Sequence, residues 1–151
     1  MVKESHHLTR RISHNLSPYT IENDGLVEAL HYFVKNNNQK DTLQFYTNII
    51  DEKVALPLKI SSILFCGMQE LIQNALKHAK ADQITVQIVK NNEEITLSVE
   101  DNGIGSTPTT LQNSSGIGAL TKRINLIGGT LEIETSENLG TTIFIHLNLK
   151  K

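Results

Sequence analysis

Four side chains at helical spacing can do chemistry together: Glu70, Asn74, Lys77 and His78, within the run QELIQNALKHA from Gln69 to Ala79. At about 100° per residue they fall within little more than one quadrant of a helix, away from the apolar Leu64, Met68, Leu71, Ile72, Ala75 and Leu76. An Asn side-chain oxygen is a hard ligand suited to Mg²⁺, a cation that keeps waters and takes other ligands from phosphates. A carboxylate one turn earlier, Glu70, can orient or deprotonate a nucleophile, and Lys77 can offset phosphate charge. His78 can donate to a nucleotide or serve as a cation at the helix C-terminus. The same four residues also make an ordinary solvated face, because charged groups at these spacings are common on helices.

Two glycine-rich segments supply possible complements. In DNGIG, residues 101–105, Gly103 and Gly105 allow positive φ and close approach of a ligand. Asp101, ending a strand-like stretch, is an acceptor for an exocyclic amine such as that of adenine. Taken alone, Asp-Asn-Gly is equally well explained as turn chemistry. In SSGIG, Ser115, Gly116, Ile117 and Gly118 lead into a helical pattern, where free backbone N–H groups favour a phosphate. Neither a P-loop nor a dinucleotide GxGxxG fingerprint occurs.

Those residues need elements to hold them. Residues 3–16 can be helical, with a break near Ser17 and Pro18, since the residue before a proline is biased away from helix. GLVEALHYFV spaces Leu26, Ala29, Leu30 and Phe33 as one helix face, ending in the polar run NNNQK. TLQFYTNII alternates like a strand. Pro57 suits the first turn of a long helix reaching about Ala79, with Ile60 joining the apolar stripe. QITVQIVK and EITLSVE predict a hairpin turning at Asn91 and Asn92, and the second strand runs into DNGIG. After a polar loop, GIGALTKRINLI predicts a helix capped by Gly128 and Gly129, and TLEIETS and TTIFIHLNL a closing hairpin around ENLG. There is no internal repeat or interdomain linker.

The 151 residues, 38% hydrophobic and 20% charged, suit one globular domain with its own core. A net charge of −2 gives no support for a nucleic-acid surface. The single Cys66 forms no internal disulfide and is read as a small core hydrophobe in a reducing, cytoplasmic setting. The longest apolar run, ISSILFCGM, is too short to cross a bilayer, so the expected link to a membrane is only through an upstream segment. No His/Cys spacing suggests zinc.

In combination and in order, these residues resemble the GHKL ATPases, the superfamily of DNA gyrase, Hsp90, MutL and histidine kinases. Glu70-x-x-x-Asn74 with Lys77-His78-Ala79 is similar to the N-box, DNGIG to the first glycine box, and GIGALTKRINLIGGTLEI with Gly140-Thr141 to the second glycine box and closing strands. The resemblance spans roughly residues 55 to 149. It implies the Bergerat fold, an α/β (α+β two-layer) sandwich with a mixed, mostly antiparallel sheet and helices on one face, and it implies ATP with Mg²⁺. Carried to this chain, Asn74 coordinates Mg²⁺, Asp101 reads the adenine amine, Gly103, Gly105 and Gly116 line the nucleotide, and Thr141 supports the adenine end. Lys77, His78, Ser115, Ile117 and Gly118 complete the implied ATP-binding set, and Glu70 is the implied catalytic residue. Two pairings of the second box are open, Ser114 with Gly116 or Gly116 with Gly118, and the latter makes the helix two residues shorter.

NALKHA points within that superfamily to histidine kinases. Leu16-Ser17-Pro18 and Gly25-Leu26-Val27-Glu28-Ala29-Leu30 are similar to the stretch where sensor kinases paired with NarL/LuxR-type regulators leave the dimerisation helices. The implied layout is a remnant of the dimerisation and phosphoacceptor region at 1–18 and an ATP-binding catalytic domain at 19–151. The implied partners are a response regulator with a receiver domain and a second copy in a homodimer. SHNLSP around His14 is also similar to a phosphoacceptor box, but the residues between His14 and Asn74 are all used by other elements, so the accepting histidine is expected upstream. His6 and His7 read as solvated helix residues. An anti-sigma-factor serine kinase and a non-catalytic ATP-binding regulatory module are the rival readings.

Overall fold

A computed structural model of the protein describes residues 18–38, 40–49, 56–91 and 93–149. The expected helix at 3–16, and His6, His7 and His14, lie outside them. The elements run α1 (Pro18–Asn37), β1 (Leu43–Ile49), α2 (Leu58–His78), β2 (Ile84–Lys90), β3 (Glu94–Asp101), α3 (Pro108–Gln112), α4 (Ser115–Leu126), β4 (Gly129–Ser136) and β5 (Gly140–Asn148).

The strands form one five-stranded sheet in the order β1-β2-β3-β5-β4. The β1–β2 pair is parallel and the other three are antiparallel, giving the mixed, mostly antiparallel sheet expected. Burial alternates along the strands, as it must when one face meets a core and the other does not. Ile84, Val86 and Ile88 of β2, Ile95, Leu97 and Val99 of β3, and Ile143, Ile145 and Leu147 of β5 are buried. They meet the inward faces of the helices in one hydrophobic cluster.

Among the described residues, the α2 stripe is the largest helical contribution to that core. Leu64, Met68, Leu71, Ile72 and Ala75 are buried as expected, and each large side chain so buried contributes about 1.5–3 kcal/mol. Two expected members depart from this: Ile60 is half-buried against the core, and Leu76 is 39% exposed. Leu76 departs further. Its position on the helix circle lies about 100° from the stripe's centre, beyond the reach of the sheet.

The helix α1 starts earlier than its apolar periodicity indicates. Pro18 opens it, and Gly25, at φ 84° and ψ 174°, breaks it into two segments. Beyond that break Leu26, Ala29, Leu30 and Phe33 are buried, and this part of α1 packs on α2 and β1. The Asn91 side chain organises the β2–β3 turn by accepting from the N–H groups of Glu93 and Glu94 at 2.9 and 2.8 Å. Among the described residues no helix is long and apolar enough to cross a membrane.

Candidate functional site

Register across the sheet explains how distant residues meet. Asp101 of β3 stands opposite Thr141 of β5, and Thr141 stands opposite Thr135 of β4. Two residues along, Val99 faces Ile143, which faces Ile133. A polar row at the strand ends thus adjoins an apolar row, because side chains at i and i+2 share a face.

The helix α2 crosses these rows and leaves a cavity of about 300 Å³, at the small end of the range for ligand pockets. Its floor is Val99, Asp101, Thr141 and Ile143, its α2 wall is Leu71, Asn74, Ala75, His78 and the following Ala79, and its third side is the segment from Ile104 to Ile117. Asn74 and Asp101, twenty-seven positions apart in the chain, line the same space.

Asp101 is buried, and its Oδ1 accepts the Gly103 N–H at 2.9 Å. That is the carboxylate's only hydrogen bond among the described residues, so Oδ2 keeps its acceptor capacity for a ligand. The turn after Asp101 is pinned on three sides. Asn102 Oδ1 accepts from the N–H groups of Asp82 and Gln83 at 3.0 Å each. Ile104 N–H donates to the Ala79 carbonyl at 2.8 Å, and Asn138 N–H donates to the Ile104 carbonyl at 2.6 Å. Such crowding requires glycine. A Cβ on Gly103 would collide with the Ala79 carbonyl oxygen, and one on Gly105, which also has φ 65°, with that of Ser136.

The side facing α2 ends at a helix N-terminus. The helix α4 begins at Ser115 with Ser114 as its N-cap residue, and its Gly118 N–H already bonds the Ser114 carbonyl at 3.0 Å. Of the two pairings open in the sequence, this start corresponds to the longer helix. The N–H groups of Ser115, Gly116 and Ile117 have no intrahelical partner, an arrangement that attracts anions. Ser114 and Ile117 line the cavity.

Of the twelve residues singled out in the sequence, Asn74, His78, Asp101, Gly105, Ile117 and Thr141 line the cavity. Gly103 stands behind Asp101 as its hydrogen-bond donor. Gly116 and Gly118 belong to the first turn of α4, which starts at Ser115, and do not line the cavity. Lys77 is exposed on α2, and Glu70, one turn before Asn74, is held by Arg123, whose Nη2 donates to Oε2 at 2.9 Å. The split follows from angle: Asn74 and His78 flank the apolar stripe, whereas Lys77 points almost directly away from it. Glu70 Oε1 instead abuts Gly116, where a Cβ would come within 2.8 Å of it.

Several cavity residues escape the motif reading. Leu71 and Ala75 fall on the same side as His78 at i, i+4 and i+7, and Val99 and Ile143 share faces with Asp101 and Thr141. Ser106 and Leu111 come from a stretch read as a polar loop, which instead contains α3. Its signal was present: Thr107 accepts the Thr110 N–H at 3.2 Å and Pro108 follows it, an N-cap and N1 pair.

A buried carboxylate at one end of an apolar-floored cavity and a helix N-terminus at another fit a purine nucleoside triphosphate. Residues 62–151 match the family described as "Histidine kinase-, DNA gyrase B-, and HSP90-like ATPase". The chain belongs to this ATPase family.

Curated relatives extend the likeness across the N-terminal part. The chain is 32% identical over 148 residues to the signal transduction histidine-protein kinase/phosphatase DegS of Brevibacillus brevis, covering 97% of this chain and 38% of that protein. It is 31% identical over 144 residues to the sensor histidine kinase LiaS of Bacillus subtilis (strain 168), covering 95% and 39%. The chain therefore spans about two-fifths of the length of these relatives. Among solved structures, the histidine kinase domain of the Erythrobacter litoralis blue-light activated histidine kinase has a TM-score of 0.64 at 21% identity, covering 82% of this chain and 61% of that one. Acinetobacter baumannii histidine kinase AdeS gives 0.64 at 14% identity, covering 99% and 82%. Both share the fold of this ATPase family member.

Proposed function

We propose that this ATPase domain is the catalytic domain of a sensor histidine kinase. It binds ATP and presents the γ-phosphoryl group to a histidine located N-terminal to the domain, from which a response regulator, of the NarL/LuxR type, receives it. Residues 19–151 constitute the ATP-binding part, and 1–18 the exit from the dimerisation and phosphoacceptor region of a homodimeric kinase. The observation that carries this reading is the opening of Asn74 and Asp101 onto one cavity.

Each residue then has a task set by its place. Asp101 Oδ2 accepts from the adenine amine, and Val99 and Ile143 take the faces of the base. The first-turn amides of α4 receive phosphate oxygens. Asn74 and His78 line the wall of α2 beside them.

Among the described residues no three His, Cys, Asp or Glu converge as a metal site. A lone amide oxygen such as that of Asn74 suits Mg²⁺, whose remaining ligands come from phosphate and water. Bound Mg²⁺-ATP supplies the transferable phosphoryl group and the charge neutralisation it needs. Glu70, beside Gly116 and tied to Arg123, orients the nucleophile from the edge of the site.

Radiolabelled ATP offered to this chain, to a form extended upstream, and to a serine-bearing candidate substrate separates the readings. Label on a histidine of the extended form is the expected result. Label on serine would replace the proposal with a serine kinase. Asn74→Asp and Asp101→Asn are each expected to weaken nucleotide binding at least tenfold, the scale of a charge-assisted hydrogen bond. Unchanged binding in both would reject the site.

A further inference from the structure

The polar row across the sheet extends one strand beyond the cavity. Thr135 of β4 does not line the cavity, yet it touches two residues that do. Its Oγ1 accepts the Ser106 N–H at 2.9 Å and lies 2.7 Å from Thr141 Oγ1 and 3.2 Å from the Gly140 carbonyl oxygen.

A threonine hydroxyl has one proton and two lone pairs. The Ser106 N–H can only donate, so it takes one lone pair. The Gly140 carbonyl can only accept, so it takes the proton. The arrangement that satisfies all three contacts leaves a single lone pair for Thr141, whose hydroxyl must then donate to Thr135. Thr141 is left with lone pairs only for anything in the cavity. It becomes an acceptor beside the carboxylate of Asp101, its direct cross-strand neighbour.

We propose that Thr135 is a positioning residue for nucleotide selection: it polarises Thr141 so that the polar end of the cavity accepts and does not donate, and it anchors the segment carrying Ser106 against that end. The inference rests on the reading of the cavity as an ATP site. Two acceptors side by side favour the 6-amino group of adenine and disfavour the 6-oxo group of hypoxanthine. The contact to Ser106 makes the same hydroxyl the link between this selectivity and the third side of the cavity.

The test compares the unmodified chain with Thr135→Ser and Thr135→Val, measuring affinities for ATP and ITP and amide exchange at Ser106 without nucleotide. The unmodified chain and Thr135→Ser are expected to prefer ATP and to protect the Ser106 amide. Thr135→Val, which keeps the shape and loses the hydroxyl, is expected to bind ATP about five- to tenfold more weakly, to narrow the ATP:ITP ratio, and to expose the Ser106 amide. A Val variant that binds ATP with the unmodified affinity and ratio would overturn the role of Thr135 while leaving the ATP site standing. So would an unprotected Ser106 amide in the unmodified chain, whatever the folding of the variants. An unmodified chain that binds no ATP would overturn both readings.

Discussion

Glu70 on α2 and Arg123 on α4 are joined by a 2.9 Å hydrogen-bonded ion pair, and the other oxygen of Glu70 lies against the backbone at Gly116. One carboxylate therefore braces the first turn of α4 against the helix that carries Asn74. Both partners are partly exposed, so the pair contributes about 0.2–1 kcal/mol to stability and its importance is geometric.

Glu70→Gln is expected to keep the fold and to leave ATP affinity within about twofold, since an amide can still accept from Arg123. Phosphoryl transfer is expected to fall by about tenfold or more if Glu70 orients the nucleophile. The charge-exchanged pair Glu70→Arg with Arg123→Glu tests the alternative. Restored transfer in that double variant, followed by label incorporation, would mean that bracing is the whole of Glu70's role.

Gly105 and Gly128 both have positive φ, 65° and 85°, but only Gly105 is crowded. Gly128→Ala is expected to cost about 1 kcal/mol, the backbone term alone, as measured by urea unfolding. Gly105→Ala adds a collision with the Ser136 carbonyl and is expected to cost more than about 2 kcal/mol and to weaken nucleotide binding.

Burial raises the pKa of the Cys66 thiol, with Arg123 nearby opposing the shift and Glu70 adding to it. Cys66 is accordingly expected to react with iodoacetamide more slowly than a free thiol at pH 8, with the rate still climbing at higher pH. The folded form holds this proton more tightly than the unfolded form. Its contribution to stability is therefore intact below the ordinary thiol pKa of about 8.5 and lost as pH rises through the folded value. Cys66→Ser is expected to flatten that part of the pH-stability curve.

Leu64→Ala removes a fully buried side chain from the centre of the α2 stripe. A loss of about 2–5 kcal/mol is expected in chemical denaturation. Leu76→Ala, on the exposed side of the same helix, is expected to change stability by no more than about 1 kcal/mol.

Periodicity and turn chemistry made most of the fold readable. The alternation in EITLSVE and TTIFIHLNL and the stripe of α2 each mark a surface that has only one place to go. The short helix α3 was not readable that way, because it has no buried residue to create a period, and its Thr-Pro cap was the only cue. Within the cavity, the motif residues were visible because their types are unusual at those spacings. Val99, Ile143, Leu71 and Ala75 were not, because an apolar side chain facing a ligand and one facing a core look alike in sequence. Thr135 escaped for another reason: its importance comes from strand register, which joins it to Thr141 across β4 and β5.

The closure of Ile104 onto Ala79, with Gly103 leaving no spare room between them, welds the foot of α2 to the loop behind Asp101. Neither can come loose by itself. Heating should consequently dismantle both walls of the cavity in one cooperative step, so that a chain warmed towards its midpoint contains intact receptors and collapsed ones, with no population of half-open sites between.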